Sequence, residues 1–186
     1  MTLDESLFRA INAFAGQLAA LDWIMVELAK PGNLVYPGLL VAGYWLWKNW
    51  RECAIVSAAL TATIIGTDAV GTQLKNIIQR PRPCLSLQGV YELLGCGGAF
   101  SFPSNHAVNT AAAAVFFQVL YPRSGWISWP LVAAIGFSRV YIGAHYVTDV
   151  IGGWVLGGAI GGAVAWMVRR TLQRSTMDES ATGAAP

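Results

Sequence analysis

The sequence predicts an all-α integral membrane protein built as a bundle of five to six transmembrane helices, and three observations support that class. Of the 186 residues, 55% are hydrophobic and only 12% are charged, whereas soluble domains carry about 25% charged residues. The mean hydropathy of the chain is +0.49. Several apolar runs approach the ~20 residues that a helix needs to cross a bilayer. The formal net charge of +2 does not indicate a nucleic-acid partner.

The first predicted helix covers residues 3–30. Apolar residues recur at helical spacing from Leu3 to Phe14 with polar residues between them, a pattern typical of a helix that lies in the membrane interface. Its continuation contains Asp22 and Glu27, which argues against a simple lipid-facing span. The segment therefore either spans the membrane or lies flat on it, up to the break at residues 31–33.

Each of five later apolar segments predicts a transmembrane helix: Leu34 to Trp47, Cys53 to about Ile78, His106 to Leu120, Trp126 to about Gly143, and Val150 to Val168. Between the second and third of these segments, residues 79–102 form a polar loop. We expect a single membrane domain over residues 1–170, in which residues 1–32 are the amphipathic or first membrane helix. A disordered polar tail over residues 171–186 would follow.

The cationic residues separate into two groups because successive helices alternate in direction. One group lies in short turns and the tail, as the positive-inside rule expects of cytoplasmic loops: Lys48, Arg51, Arg123, Arg169, Arg170 and Arg174. The other group lies in or beside polar motifs: Lys75, Arg80, Arg82 and Arg139. These motifs are therefore expected on the outer face of the membrane.

The first motif joins the end of a predicted span to the polar loop. Lys75 ends the span and Arg82 follows seven residues later, after Pro81 has stopped the helix. Two fixed cations at the mouth of a bundle suit a dianionic phosphate, and Arg80 could assist them. The alternative is that these long side chains only reach up to the lipid headgroups.

The second motif is Ser101-Phe-Pro-Ser104-Asn105-His106, immediately before a predicted helix. Ser104 is a candidate N-cap, and the amides of a helix N-terminus bind anions. His106 in the first turn could donate a proton to a leaving oxygen. The alternative is a helix cap beside a histidine with a purely structural role.

The third motif contains Arg139, His145 and Asp149. His145 and Asp149 are four residues apart, so on a helix both occupy one face. A carboxylate bonded to one ring nitrogen leaves the other nitrogen free to attack an electrophile. Metal binding is the weaker interpretation, because two histidines and few outer-face carboxylates make a poor ligand set.

Three further features have open interpretations. Asp68 lies within a predicted span, where a carboxylate serves either function or a structural hydrogen bond. Cys84 and Cys96 fall in the proposed outer loop, where a disulfide is one alternative and free thiols the other. Paired glycines at residues 152–153, 157–158 and 161–162 favour tight packing inside the bundle over a dimer face.

Taken together, the three motifs resemble those of the type 2 phosphatidic acid phosphatase superfamily: Lys-x6-Arg-Pro, Pro-Ser-x-His, and Ser-Arg-x5-His-x3-Asp, in order between residues 75 and 149. The resemblance implies that His145 is the nucleophile, that Asp149 orients it and that His106 is the general acid. It assigns the phosphoryl oxygens to Lys75, Arg82, Ser104, Arg139 and the amide of Asn105. Asn105 stands where that family most often has glycine, which we interpret as a change of selectivity.

The resemblance implies a membrane lipid phosphatase that forms a phosphohistidine and needs no metal or other cofactor. The short loop is similar to that of bacterial undecaprenyl-diphosphate phosphatases, which favours undecaprenyl diphosphate as substrate and the bacterial inner membrane as location, with the site facing the periplasm. The alternatives are a phosphatidylglycerophosphate, phosphatidic acid or lipid A phosphatase, a lipid phosphotransferase, and a catalytically silent scaffold or transporter. The expected partners are the lipid substrate and the bilayer, and the oligomeric state stays open.

Overall fold

Eight α-helices form the bundle, and residues 1–182 contain no β-strand. The computed structural model describes these residues, without the side chains of residues 31, 34–37, 41 and 174–182. The helices are α1 (Leu3–Asn12), α2 (Ala19–Ala29), α3 (Val35–Lys48), α4 (Trp50–Ile78), α5 (Pro83–Ser86), α6 (Asn105–Leu120), α7 (Gly125–Tyr141) and α8 (Val147–Thr182). Short 3-10 turns precede α3 and α7. The all-α class is thus confirmed.

Two helices of the described chain are long and apolar enough to cross a membrane on their own. They are Trp50–Ile78, with 29 residues, and Val147–Gln173, with 27 residues. Helices α3, α6 and α7 have 14, 16 and 17 residues, fewer than the ~20 that a simple span requires. The number of crossings therefore stays a prediction.

The N-terminal segment is two helices and not the single helix predicted over residues 3–30. The chain turns between α1 and α2 at Gly16, whose φ of +79° is a conformation that glycine adopts readily. The carboxylate of Asp22 holds this turn, because it accepts hydrogen bonds from the Gly16 amide at 3.0 Å and the Tyr141 hydroxyl at 2.7 Å. With 10 and 11 residues, the helices are about 15 and 17 Å long, and each is shorter than the hydrocarbon core.

Helix α1 is fixed at both ends. It begins with a capping box in which Thr2 and Glu5 each accept a hydrogen bond from the other's backbone amide, at 3.2 and 3.0 Å. At its end, the buried Asn12 side chain donates to the carbonyls of Tyr91 and Tyr141 at 2.9 and 2.8 Å. Phe8 between them is fully buried. These contacts hold α1 against the polar loop and the ends of α7 and α8.

The central contact of the bundle is between α6 and α8, and glycines of α8 make it possible. A Cβ atom built on Gly157 would lie 1.9 Å from the Val108 carbonyl oxygen, and one on Gly161 would lie 2.2 Å from that of Ala112. The two backbones therefore touch, as small residues allow in membrane helix pairs. The glycines serve packing inside the bundle, the interpretation that the sequence favoured.

Helix α8 continues through residues 171–182, where the sequence predicts a disordered tail, and residues 183–186 lie outside the described residues. Leu172 packs against a cluster that includes Val56, Phe116 and Val168. That apolar contact supports an additional turn of helix beyond Arg170, because helices in proteins are stabilised mainly by packing.

The α6–α8 contact predicts a sharp difference between two glycine-to-alanine substitutions. Gly157→Ala should lower the free energy of unfolding by about 1–3 kcal/mol, because the added methyl forces the helices apart. Gly66→Ala on α4 is the matched control, since nothing lies within 4 Å of its Cβ position and alanine favours helix. Thermal unfolding in detergent measures both, and equal melting temperatures for the two variants would contradict the packing described.

Candidate active site

Two helix starts and the polar loop meet at one end of the bundle. The Ser104 amide, just ahead of α6, donates to the Asp149 carbonyl in the first turn of α8 at 3.0 Å. The loop lies beside both, because the Arg80 side chain donates to Asp149 at 2.7 Å. The Ser101 amide, just ahead of Ser104, also donates to the Arg80 carbonyl at 2.8 Å. The second and third motifs are thus joined through the backbone, and the first motif lies against them.

A cavity of about 280 Å³ opens at this junction. Six of the eight site residues predicted from the sequence line it: Lys75, Arg82, Asn105, His106, Arg139 and His145. The other two, Ser104 and Asp149, are fully buried. Ser104 precedes the lining residue Asn105 in the chain, and Asp149 lies 3.6 Å from the lining residue His145.

The three cations of the cavity are held by backbone carbonyls. Lys75 donates to the carbonyls of Ser101, at 3.2 Å, and Pro103. Arg82 donates to the Phe100 carbonyl at 3.1 Å, and Arg139 donates to the Ala29 carbonyl at 3.3 Å.

Among the side chains that the structure describes, no carboxylate forms an ion pair with any of these three cations. Buried or partly buried positive charge of this kind is costly unless a counter-charge is bound. The cavity is therefore suited to an anion, and its three fixed cations suit one with several negatively charged oxygens.

The start of α6 differs in one detail from the sequence prediction. Ser104 occupies the N-cap position, but its side chain makes no capping hydrogen bond. Its buried hydroxyl oxygen has no partner among the described residues, and the same holds for Nε2 of His106 and Nε of Arg139. Buried polar atoms normally have partners, so these three are available to a bound ligand.

Asn105 is anchored to α4 in place of the glycine that the family pattern favours. Its side-chain amide donates to Asp68 at 2.9 Å and to Thr72 at 3.3 Å. Gly71 leaves the space, because a Cβ there would lie 2.8 Å from the Asn105 side-chain oxygen. The structure thus gives Asp68 a hydrogen-bonding role between α4 and α6.

His145 and Asp149 do not share a helix face as the four-residue spacing predicted. His145 lies in the turn before α8, and Asp149 lies in the first turn of that helix. The turn nevertheless brings them together, with Nδ1 of His145 3.6 Å from Oδ2 of Asp149. This distance exceeds that of a hydrogen bond.

Burial and, to a smaller extent, the nearby cations Arg82, Arg139 and Lys75 together lower the pKa of His145 to about 3, against the opposing effect of Asp149. The side chain is 2% exposed, so water cannot solvate a charged imidazolium. His145 is therefore neutral near pH 7, which is the form that carries a free lone pair.

Arg80 does not assist the other cations in the cavity, contrary to the sequence expectation. It turns to carboxylates instead, donating from Nη1 to Asp149 at 2.7 Å and from Nη2 to Asp4 at 2.6 Å. Sequence reasoning missed Asp4 as a member of this group. No local signal marks it, because Asp4 precedes Arg80 by 76 residues.

A disulfide between Cys84 and Cys96, with their Cα atoms 5.9 Å apart, resolves the alternative left open by the sequence. Cys96 and the adjacent Gly97 line the cavity, and Arg82 lies 3.8 Å from the position of a Cβ on Gly97. The disulfide therefore holds this part of the loop at the mouth of the cavity.

Comparison with known proteins agrees with the motif pattern. Residues 53–173 match the PAP2 superfamily. The chain is 32% identical over 162 residues to undecaprenyl-diphosphatase BcrC of Bacillus subtilis, covering 86% of this chain and 81% of that protein. It is 30% identical over 152 residues to lipid A 4'-phosphatase of Bacteroides thetaiotaomicron, covering 75% and 67%.

A solved structure shares the fold. The crystal structure of the transmembrane PAP2-type phosphatidylglycerolphosphate phosphatase from Bacillus subtilis superposes with a TM-score of 0.64. The match covers 92% of this chain and 85% of that one, at 24% identity.

The low pKa of His145 predicts that this side chain does not titrate in the ordinary histidine range. The chain has two histidines, so a His106→Gln variant leaves one imidazole to follow by ¹⁵N NMR in detergent. Its ring-nitrogen shifts should stay those of the neutral form from pH 8 down to about pH 4.5, since protonation is expected only near the lowered pKa. A midpoint near 6.5 would contradict the buried, cation-surrounded geometry.

Proposed function

The chain belongs to the PAP2 superfamily, and we propose that it removes phosphate from a lipid phosphate or diphosphate by way of a phosphohistidine on His145, without a metal ion. The observation that supports this most is the charge of the cavity. Three cations that no described carboxylate pairs with surround two histidines, and phosphoryl transfer depends chiefly on such positioned positive charge.

The proposed first step is an in-line attack on the phosphorus. Nδ1 of His145 is the ring nitrogen nearest Asp149, so the other ring nitrogen attacks. An N–P bond forms while the bond from phosphorus to the leaving oxygen breaks. His106 gives its proton to that oxygen. The leaving group is the lipid monophosphate when the substrate is a diphosphate, and the lipid alcohol when it is a monophosphate. Asp149 stabilises the positive charge that develops on His145.

The second step regenerates the histidine. A water molecule attacks the phosphohistidine, and His106 accepts its proton. The N–P bond breaks and inorganic phosphate leaves. His145 is then free again, and His106 carries the proton it needs for the next turnover. Lys75, Arg82 and Arg139 would hold the phosphoryl oxygens through both steps, together with the Ser104 hydroxyl and the backbone amide of Asn105.

A lipid substrate is supported by a second cavity that adjoins the first. It has a volume of about 620 Å³ and shares Asn105 and His106 with the cationic cavity. Most of its remaining wall is apolar: Leu28, Leu60, Ile64, Ala113, Phe117 and Ile135. A hydrocarbon chain in this cavity would place its phosphate beside His106, because the two spaces meet there.

Undecaprenyl diphosphate is the proposed lipid. The support is the relative named undecaprenyl-diphosphatase, which aligns over 81% of its own length. A phosphate of lipid A is the second candidate, on the strength of the relative named lipid A 4'-phosphatase. Phosphatidylglycerophosphate and phosphatidic acid remain to be compared, as does transfer of the phosphate to another lipid in place of water.

The site is proposed to face the periplasm from the inner membrane. The opposite end of the bundle carries Lys48, Arg51, Arg123 and Arg169, and Arg169 lines a surface pocket there with Glu52 and Tyr121. Cations in short turns favour the cytoplasmic side. A disulfide near the cavity also fits an oxidising compartment.

Phosphate release in detergent, with EDTA present, tests the proposal. Purified protein is offered undecaprenyl diphosphate, lipid A, phosphatidylglycerophosphate and phosphatidic acid in separate assays. Release from undecaprenyl diphosphate should be fastest and should fall by at least about 10³-fold in His145→Ala, since the nucleophile is lost.

The matched control is Gln118→Ala, because Gln118 contacts Trp129 near the opposite end of α6 and should leave the rate unchanged. Release that EDTA abolishes would exclude the metal-free mechanism. Release that survives in His145→Ala would exclude the nucleophile. No release from any of the lipids would favour a scaffold or transporter.

The apolar cavity predicts a chain-length effect of one substitution. Ala113→Phe should raise the KM for the long-chain lipid and leave hydrolysis of a short, water-soluble phosphate ester unchanged, because the added ring occupies only the hydrocarbon space. Ala163→Phe is the matched control, since Ala163 lies exposed on α8. Equal effects of Ala113→Phe on the long and short substrates would contradict the assignment of this cavity to the lipid chain.

A further inference from the structure

Arg80 forms a bridge between two carboxylates that are remote in sequence. Its Nη1 donates to Oδ1 of Asp149 and to the Thr148 hydroxyl, both at 2.7 Å, and its Nη2 donates to Oδ2 of Asp4 at 2.6 Å. Of the three charged side chains, Asp149 is fully buried, Asp4 is 13% exposed and Arg80 is 30% exposed. Hydrogen bonds between ionised groups at such distances are among the stronger ones in proteins.

The bridge fixes the carboxylate that faces His145. Arg80 binds one oxygen of Asp149, while the other oxygen accepts the Tyr146 amide at 2.8 Å and lies 3.6 Å from His145. The guanidinium also lies 4.0 Å over the ring of Tyr146, a cation–π contact. Both sides of the carboxylate are therefore held, and its orientation toward the imidazole is determined.

Helix α1 brings Asp4 to this bridge. Asp4 also accepts hydrogen bonds from the amide of Thr148, at 3.1 Å, and from its hydroxyl, so it lies at the N-terminus of α8, where negative charge is favourable. Although burial raises the pKa of Asp4, the hydrogen bonds from Thr148 and Arg80 lower it overall. Phe8 of the same helix packs edge-on against Tyr146, with ring centroids 5.7 Å apart.

Arg80 is separate from the phosphate-binding cations. It does not line the cationic cavity within residues 1–182, and both of its terminal nitrogens donate to side chains of α1 and α8. A residue in this place acts on the substrate only through Asp149 and His145.

We propose that Arg80 and Asp4 are positioning residues of the phosphoryl transfer: α1 holds Asp4 on Arg80, Arg80 holds Asp149, and Asp149 holds His145 in its attacking orientation. Helix α1 thereby completes the active site although it contributes nothing to the cavity wall. This inference rests on the proposed role of His145 as nucleophile.

The variants Arg80→Met and Asp4→Asn test the proposal. Asparagine keeps an acceptor for the Thr148 amide and removes the charge. We expect kcat to fall by about 10- to 100-fold in Arg80→Met, the effect seen when the hydrogen-bond partners of metal-binding histidines are removed, and less in Asp4→Asn, with KM unchanged in both. The double variant should be no slower than Arg80→Met, because both act through one bridge.

The pH profile of kcat separates positioning from a merely structural role. The charges that act on His145 are Asp149 and the cations Lys75, Arg82 and Arg139. Without Arg80, less positive charge offsets the negative charge of Asp149. Asp149 then raises the pKa of His145 more strongly and favours its protonated form, which cannot attack. The acid limb of the kcat profile should therefore move to higher pH in Arg80→Met and stay in place in Arg80→Lys, which keeps a cation.

Arg9→Met is the matched control, because Arg9 lies on the same helix and its side chain donates to the Gln88 carbonyl at 3.1 Å, away from Asp149. Its kcat and pH profile should equal those of the unmodified protein. Unchanged kcat in Arg80→Met would overturn the proposal, and so would a rise in KM with an unmoved pH profile. If His145→Ala retains activity, the nucleophile assignment fails instead. Melting temperatures of the purified variants identify any that are unfolded, in which case Asp4→Asn and Arg80→Lys provide the test.

Discussion

The direct contact between the α6 and α8 backbones is the constraint on which the rest of the structure depends. Gly157 and Gly161 of α8 lie against the carbonyls of Val108 and Ala112, so the two helices cannot shift without a clash. Their N-termini are consequently held side by side, and the Ser104 amide reaches the Asp149 carbonyl at 3.0 Å. This single arrangement brings one histidine from each helix start to a common cavity. Packing in the middle of the bundle thus determines the geometry at its end.

Charge at this end is arranged in two layers. The cavity itself holds Lys75, Arg82 and Arg139, which carbonyls orient and no carboxylate neutralises within the described residues. Behind it, Arg80 is neutralised by Asp4 and Asp149. The front layer suits a multiply charged anion, because its cations lack counter-charges. The rear layer suits the fixing of a side chain, because each of its charged groups is paired with an oppositely charged one.

Local signals in the sequence were sufficient to predict the all-α fold class, most of the helix ends and the residues around the cavity. Apolar runs and proline breaks located α4, α6 and α7 to within a few residues, and three motifs supplied six residues of the cavity wall. The division of residues 3–30 was missed, because a single glycine is also compatible with a continuous helix, and the turn at Gly16 is held by Asp22, which a distant residue, Tyr141, contacts in turn. The redirection of Arg80 was missed for a similar reason. Its partner Asp4 is brought near by the packing of α1, which no spacing rule describes.

The most direct test of the account is detection of the covalent intermediate. The protein is mixed with ³²P-labelled lipid phosphate, quenched in base within milliseconds, and digested for mass spectrometry. A base-stable, acid-labile phosphate is expected on the peptide that contains His145, formed at the rate of the first turnover and absent from His145→Ala. Label on another residue, or a full burst of product with no labelled protein, would contradict it.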